Sequence, residues 1–249
     1  MELYSTYKRN DTKIIFSEEV YKKLQIAINS TGYDLYTLDR SNMIAGNEYL
    51  VFLYGRWTPD GNIFFTDTND VEYQPMDGKS KPNDGMQLEM ENKIINEKFD
   101  CFAYVHTHPY AKTESSRFFS DADIQEFKTT YNFANIAKIT KRNIIALGGV
   151  MTVSGNNIPS EDDIALVHYN DETGEMEYLP NMYVMFDNEL VPMKQSKEEV
   201  LINDTGHLFN PKDVEDRSLY TSAPIERTYF EVEKKVEQDK NIEQFNIII

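Results

Sequence analysis

Six consecutive residues, Tyr49-Leu50-Val51-Phe52-Leu53-Tyr54, are apolar or aromatic, and Gly55 closes the run. No polar residue alternates with them, so the segment does not read as a strand with one face in water. It reads as a buried central strand. Asn62–Thr66, reached through the turn Thr58-Pro59-Asp60-Gly61, is predicted as its neighbour. A second apolar run, Cys101-Phe102-Ala103-Tyr104-Val105, ends abruptly in His106-Thr107-His108-Pro109. Residues two apart in a strand point to the same side, so this strand aims both imidazoles one way. Pro109 has no N–H and stops the pairing there.

Helices are expected around these strands. The apolar segment Lys13–Phe16 leads into Ser17-Glu18-Glu19, a helix start with acidic residues in the first turn. Val20, Leu24, Ala27 and Ile28 follow at helical spacing, which predicts an amphipathic helix of about three turns. Thr31-Gly32 is expected to end it. Residues 75–85 are rich in Pro, Gly, Asp, Asn and Lys and read as an exposed loop. Gly85–Phe99 has good helix formers, with Met86, Leu88, Met90, Ile94 and Ile95 available for its apolar face. Ser120 is expected to open a further helix that carries Ile124 and Phe127 inward.

Two short β runs, Asn143–Leu147 and Val150–Ser154, are followed by the turn Ser154-Gly155-Asn156-Asn157. Asp163–His168 and Tyr178–Phe186 continue the β character. From about Gln195 the pattern weakens, with a helix expected near 228–240. The division is therefore a domain over 1–195 and an extension over 196–249 that serves as a tail or subunit-contact element. The apolar end, Phe245-Asn246-Ile247-Ile248-Ile249, could dock as an edge strand.

The formal charge of -17 over 249 residues, with no Lys- or Arg-rich stripe, argues against binding a phosphate backbone. Nucleic acid is therefore not an expected partner. Cys101 is the single cysteine, so neither an intrachain disulfide nor a thiolate metal cluster is available. It reads as a small buried hydrophobe. The N-terminal segment lacks the apolar core of a secretory signal, and no run of about 18 apolar residues exists to span a membrane. A reducing, cytoplasmic setting is the expectation.

The chemistry concentrates after the second apolar run. His106 and His108 share one side of a strand end, and the Ser-x-x-Asp step of Ser120 and Asp123 follows. Two imidazoles and a carboxylate from the next helix make the three-ligand set of a catalytic zinc site, whose fourth position stays open for water. Peptide hydrolysis also needs a base outside the ligand set. Glu48, immediately before the apolar strand, is the candidate, since a carboxylate there needs a reason. Ser120 and Asp123 also have the spacing of an ordinary helix cap, and the two roles are compatible. His168 and His207 lack a partner pattern and read as structural or surface residues, and Trp57 as packing.

Taken together, the helix opened by Ser17, Glu48 with Gly55 seven residues on, His-Thr-His-Pro and Ser-x-x-Asp resemble the JAMM (JAB/MPN) metallopeptidases. The resemblance covers roughly residues 14–190. It implies an α/β (α+β) fold, a JAB/MPN-like mixed β-sheet flanked by helices, here with a C-terminal extension. It implies that His106, His108 and Asp123 bind Zn2+, that Glu48 is general base and acid, and that Ser120 helps to hold the oxyanion. The implied activity is that of a zinc-dependent peptidase or isopeptidase. Its substrate would be a protein or peptide, often one joined through a lysine to ubiquitin or a ubiquitin-like modifier. Fourteen residues separate His108 from Asp123, more than the family's usual spacing. The extra length falls in Lys112–Arg117 and is absorbed as loop at small entropic cost. Asp121 is a second carboxylate nearby, and the offset of three from Ser120 favours Asp123.

Two other classes compete with this reading. A metal-free member of the same fold, acting as a scaffold or binding module, would lack one or more ligands, whereas all four key positions are present. An amidohydrolase-type barrel would need further ligands on later strands, which two stray histidines do not supply.

Overall fold

The structure, a computed structural model, describes residues 6–8, 11–33, 36–38, 43–45, 47–70, 72–74, 84–109, 120, 123, 139–142, 144–153, 165–170, 173–202, 208–209 and 225–232. The chain begins with β1 (Thr6–Lys8) and β2 (Ile14–Ser17), and the latter runs directly into α1 (Glu18–Tyr33). The Ser17 side chain caps this helix, its Oγ accepting the Val20 N–H at 3.3 Å, and Glu18 and Glu19 sit at the positive end of the helix dipole. The buried stripe is Val20, Leu24, Ala27 and Ile28, as the spacing predicts. The helix is longer than expected, at 16 residues. Thr31 does not end it. Its hydroxyl donates to the Ala27 carbonyl at 3.1 Å, one turn back, and the side chain is buried within the helix.

A two-stranded ribbon follows, β3 (Tyr36–Leu38) with β4 (Met43–Ala45). Next come β5 (Glu48–Trp57), β6 (Ile63–Thr68) and β7 (Glu72–Gln74), then α2 (Asp84–Ile95) and β8 (Cys101–His108). The remaining strands are β9 (Ile145–Thr152), β10 (Leu166–Asn170), β11 (Glu175–Leu179), β12 (Met182–Phe186), β13 (Glu189–Ile202), β14 (Leu208–Phe209) and β15 (Ile225–Val232). The protein is a mixed α/β structure made mostly of strand.

The main sheet has the order β1-β11-β10-β9-β8-β5-β6-β2-β12-β13-β14, with β7 also on β5 and β15 on β13. Strands β8 and β9, β2 and β6, β2 and β12, and β1 and β11 are parallel, and the other pairs are antiparallel. Only Pro180 and Asn181 separate β11 from β12, yet seven steps of the sheet lie between them. The sheet therefore curls back so that its two flanks meet. One core, drawn from α1 and the facing side chains of β2, β5, β6, β8 to β10 and β12, fills the inside of this curl. A second core, on the other face, joins Leu50, Phe52, Tyr54, Phe102 and Tyr104 to Met86, Met90 and Ile94 of α2. Even-numbered residues of β5 and β8 thus face α2, and odd-numbered ones face α1. That division is what positions the site.

Several boundaries differ from the sequence reading. Gly55 does not close β5, which runs on to Trp57. It sits instead at a register shift against β6, between Tyr54 and Gly55. A Cβ there would lie 2.5 Å from the Phe64 carbonyl oxygen, so glycine permits a close backbone approach. The two β runs around 143–154 are one strand, β9, continuing through Gly148-Gly149. Its ladder with β8 holds it extended, and Gly149 leaves room for Leu166, whose Cδ2 would be 2.7 Å from an added Cβ. Tyr178–Phe186 is divided into β11 and β12 at Pro180, which has no N–H to donate. On α2 the buried face is Met86, Met90 and Ile94, while Leu88 is 68% and Ile95 38% exposed, so these two do not join it. The helix expected near 228–240 is contradicted in its described part: Ile225–Val232, rich in β-branched and aromatic residues, is a strand laid antiparallel on β13. β13 itself crosses position 195 without a break. Of the loop predicted over 75–85, Asp84 and Gly85 instead begin α2, while 75–83, Ile124, Phe127, the turn at 154–157, His207 and the apolar end lie outside the described residues. Among the described residues, no helix is long and apolar enough to cross a membrane.

Candidate metal centre

The site is built at the end of β8. Cys101 to Thr107 are buried, and β5 on one side and β9 on the other hold the strand in register. The ladder with β5 runs from Gly55↔Cys101 to Leu50↔His106, and that with β9 reaches His108↔Thr152. With both flanks paired, the alternation of the pleat brings His106 and His108 to the α2 face. Their Nε2 atoms are 3.1 Å apart. His106 is fully buried, its ring 5.2 Å from that of Tyr104, and His108 stands at the rim with 12% of its side chain exposed.

Asp123 completes the group. Its Oδ1 lies 3.4 Å from His106 Nε2, and its Oδ2 lies 3.5 Å from His108 Nε2. Ser120 orients this carboxylate: its N–H and its Oγ–H both donate to Oδ2 at 2.7 Å, and its Oγ accepts the Asp123 N–H at 3.2 Å. The reciprocal pattern is that of a helix cap. Because both Ser120 donors are directed to Oδ2, Oδ1 is the oxygen left for a ligand. The hydroxyl proton of Ser120 is committed to Asp123. Burial raises the Asp123 pKa, but the hydrogen bonds and charge of His106 and His108 outweigh it and hold the carboxyl well below the usual range.

Donor spacing tests whether an ion fits. A tetrahedral cation with bonds of about 2.05 Å needs its ligand atoms about 3.3 Å apart. His106 Nε2 lies 3.1 Å from His108 Nε2 and 3.4 Å from Asp123 Oδ1, both near that spacing. The 3.5 Å contact of His108 is to the other carboxylate oxygen, Oδ2, and one donor atom from each residue can be chosen with all three within 4.8 Å. His106, His108 and Asp123 are, among the described residues, the group of His, Cys, Asp or Glu side chains close enough to hold a metal ion. The donor set is neutral imidazole and carboxylate, which suits a divalent ion of intermediate softness. Asp121 lies outside the described residues, and among the described residues the carboxylate that reaches the histidines is that of Asp123.

Glu48 heads β5 and is half-buried. Leu50 pairs with His106, so two residues further in the same antiparallel register Glu48 is level with His108. Directly opposed residues of an antiparallel pair project to one face, which puts Glu48 on the face that carries the two histidines. The proposed base and the proposed ligands thus belong to neighbouring strand ends.

The other residues singled out lie elsewhere. His168, on β10, is half-buried, its Nδ1 3.1 Å from the Ala146 carbonyl oxygen. Trp57 packs against the α1 core. Cys101 is fully buried, and burial pushes its thiol pKa up, consistent with a packing role. Two neighbours of the site were not anticipated. Thr152, level with His108 on β9, is buried beside it. Thr107, the middle residue of His-Thr-His, faces the opposite way, toward α1. Strand alternation alone is enough to signal that direction, although not what Thr107 meets. No model of a known protein family matches the chain, and no curated protein is significantly similar to it.

Proposed function

We propose that this protein is a zinc-dependent peptidase or isopeptidase of the JAMM (JAB/MPN) type. The observation that carries the reading is the convergence of two imidazole nitrogens and a carboxylate oxygen within 4.8 Å of one another, with Glu48 on the adjoining strand end. In this reading His106, His108 and Asp123 hold the ion, and Ser120 fixes the carboxylate. Zinc, when bound, lowers the pKa of water toward about 7 and polarises a carbonyl oxygen. Glu48 accepts the proton of the attacking water and passes it to the departing amine. The buried histidine strand and the aromatic residues behind it, Tyr104 and Phe52, keep bulk water from the rear of the site. Expected substrates are peptide bonds or lysine-linked isopeptide bonds, including those to ubiquitin-like modifiers.

The test is metal analysis together with cleavage. Purified protein reconstituted with Zn2+ is expected to hold about one ion per chain, and a His106→Ala/His108→Ala variant none. A pool of peptides and lysine-linked isopeptides, incubated with the zinc protein, is expected to show new N-termini by mass spectrometry. Glu48→Gln is expected to retain zinc and lose cleavage by about 10²–10⁴-fold. A wild-type protein that binds no zinc would return the fold to a scaffold or binding role. Full cleavage by Glu48→Gln would remove Glu48 as the base.

A further inference from the structure

We infer that Thr31 and Thr107 form a buried hydroxyl relay whose role is to lock the strand end bearing Glu48 to the strand end bearing the histidines. The inference rests on the proposed function only for the role of Glu48; the relay itself rests on the fold. The paired register between β5 and β8 ends at Leu50↔His106, two residues short of Glu48 and His108. At the next level a side chain takes over: Thr107 Oγ1 accepts the Tyr49 N–H at 2.9 Å. Thr107 Oγ1 is in turn 2.5 Å from Thr31 Oγ1, and the Thr31 hydroxyl donates to the Ala27 carbonyl at 3.1 Å. Both threonines are fully buried.

The directions of these bonds follow from proton counting. A threonine hydroxyl has one proton and two acceptor sites. Thr31 commits its proton to Ala27, so it can only accept from Thr107. Thr107 therefore donates to Thr31 and keeps a lone pair for Tyr49. The relay runs one way, from the Tyr49 N–H through Thr107 and Thr31 to α1. Each hydroxyl is used as both donor and acceptor, which no aliphatic side chain of the same shape can do.

The consequence for the site is geometric. The Thr107 hydroxyl, on the α1 face, fixes the height of Tyr49, and with it the strand end that carries Glu48 beside His108. Thr107 thus separates two tasks within one tripeptide: the histidines face the ion site, and the residue between them anchors the strand that brings the base. Thr31 and Thr107 are positioning residues, since neither faces the ion site.

The test uses the full chain without metal and reads amide hydrogen exchange at Tyr49. Thr107→Val is expected to speed Tyr49 exchange about tenfold, because the N–H loses its buried acceptor. The amides of Val51 and Leu53, held in the ladder, are expected to keep their protection. Thr107→Ser is expected to exchange as wild type does. Thr31→Val is expected to give a smaller rise, and Thr31→Val/Thr107→Val no more than Thr107→Val alone, as for members of one relay. If Thr107→Val does not fold, Thr31→Val decides the matter: Tyr49 exchange no faster than in the wild type then overturns the relay. Unchanged Tyr49 exchange in Thr107→Val, or a serine variant as exposed as the valine, overturns the relay.

A second arm loads the same variants with Zn2+. Thr107→Val is expected to retain zinc, since β9 still holds the histidine strand, and to cleave the peptide pool about tenfold more slowly, with recovery in Thr107→Ser. Wild-type cleavage by Thr107→Val would overturn the positioning role. Failure of the wild type to bind zinc would overturn the proposed function alone, because the exchange arm is run without metal.

Discussion

Replacing Ser120 with alanine separates two accounts of that residue and tests the geometry of the carboxylate. Ser120 directs both its N–H and its Oγ–H at Asp123 Oδ2, each at 2.7 Å. Alanine keeps the backbone donor and deletes the hydroxyl. The lost bond is charge-assisted and mostly buried, with 14% of the Asp123 side chain exposed, so its removal costs about 1.5–3 kcal/mol. If that bond orients the carboxylate toward the ion, the loss appears in metal affinity. At about 1.4 kcal/mol per factor of ten, zinc binding weakens roughly 10–100-fold, the range expected for a group that orients a metal ligand. The assay is zinc competition against a chelator of known affinity, for wild type, Ser120→Ala and Ser120→Thr, with threonine expected to restore most of the loss. Had Ser120 acted only on a substrate oxyanion, Ser120→Ala would bind zinc as tightly as wild type and lose only turnover. That result would refute the carboxylate-orienting role.

Gly55→Ala is expected to lower stability by about 1–3 kcal/mol, read as a fall in the urea midpoint at constant slope, because its Cβ meets the Phe64 carbonyl oxygen and Phe65 Cδ1 at 2.5 and 2.9 Å. No change at the midpoint would mean that the bulge relaxes freely. Cys101 is expected to resist alkylation in the native protein at pH 9 and to react fully in denaturant, since burial raises its pKa and hides the sulfur. The linkage has a definite sign: above the ordinary thiol range the unfolded chain ionises and the native one does not, so the contribution of Cys101 to stability falls as pH rises. Rapid native alkylation would contradict the packing described.

The candidate ligand pattern was legible because strand alternation is a local rule. His106 and His108 share a face whatever surrounds β8, and the Ser-x-x-Asp offset writes a cap into four residues. The helix α1 was legible for the same reason, its stripe repeating from Val20 to Ile28. What failed was of a different kind. Gly55 and Gly148-Gly149 look like stops when read along the chain, yet each lies inside a strand, because a neighbour across the sheet sets the requirement. Thr31 looks like the end of a helix, yet its hydroxyl finds Thr107, 76 residues away. Ile225–Val232 is rich in β-prone residues, yet it is the antiparallel ladder with β13 that holds it as a strand.

Periodicity and spacing by themselves determined that buried strands exist, that two imidazoles point together and that a capped carboxylate follows them. Only the tertiary structure decided how far the carboxylate stands from those imidazoles, which strand lies beside them and how that strand is tied down. The physical reason is range. Alternation and capping are settled within a few residues by backbone geometry, whereas donor spacing and strand register depend on contacts between segments that only the curled sheet and its two cores bring together.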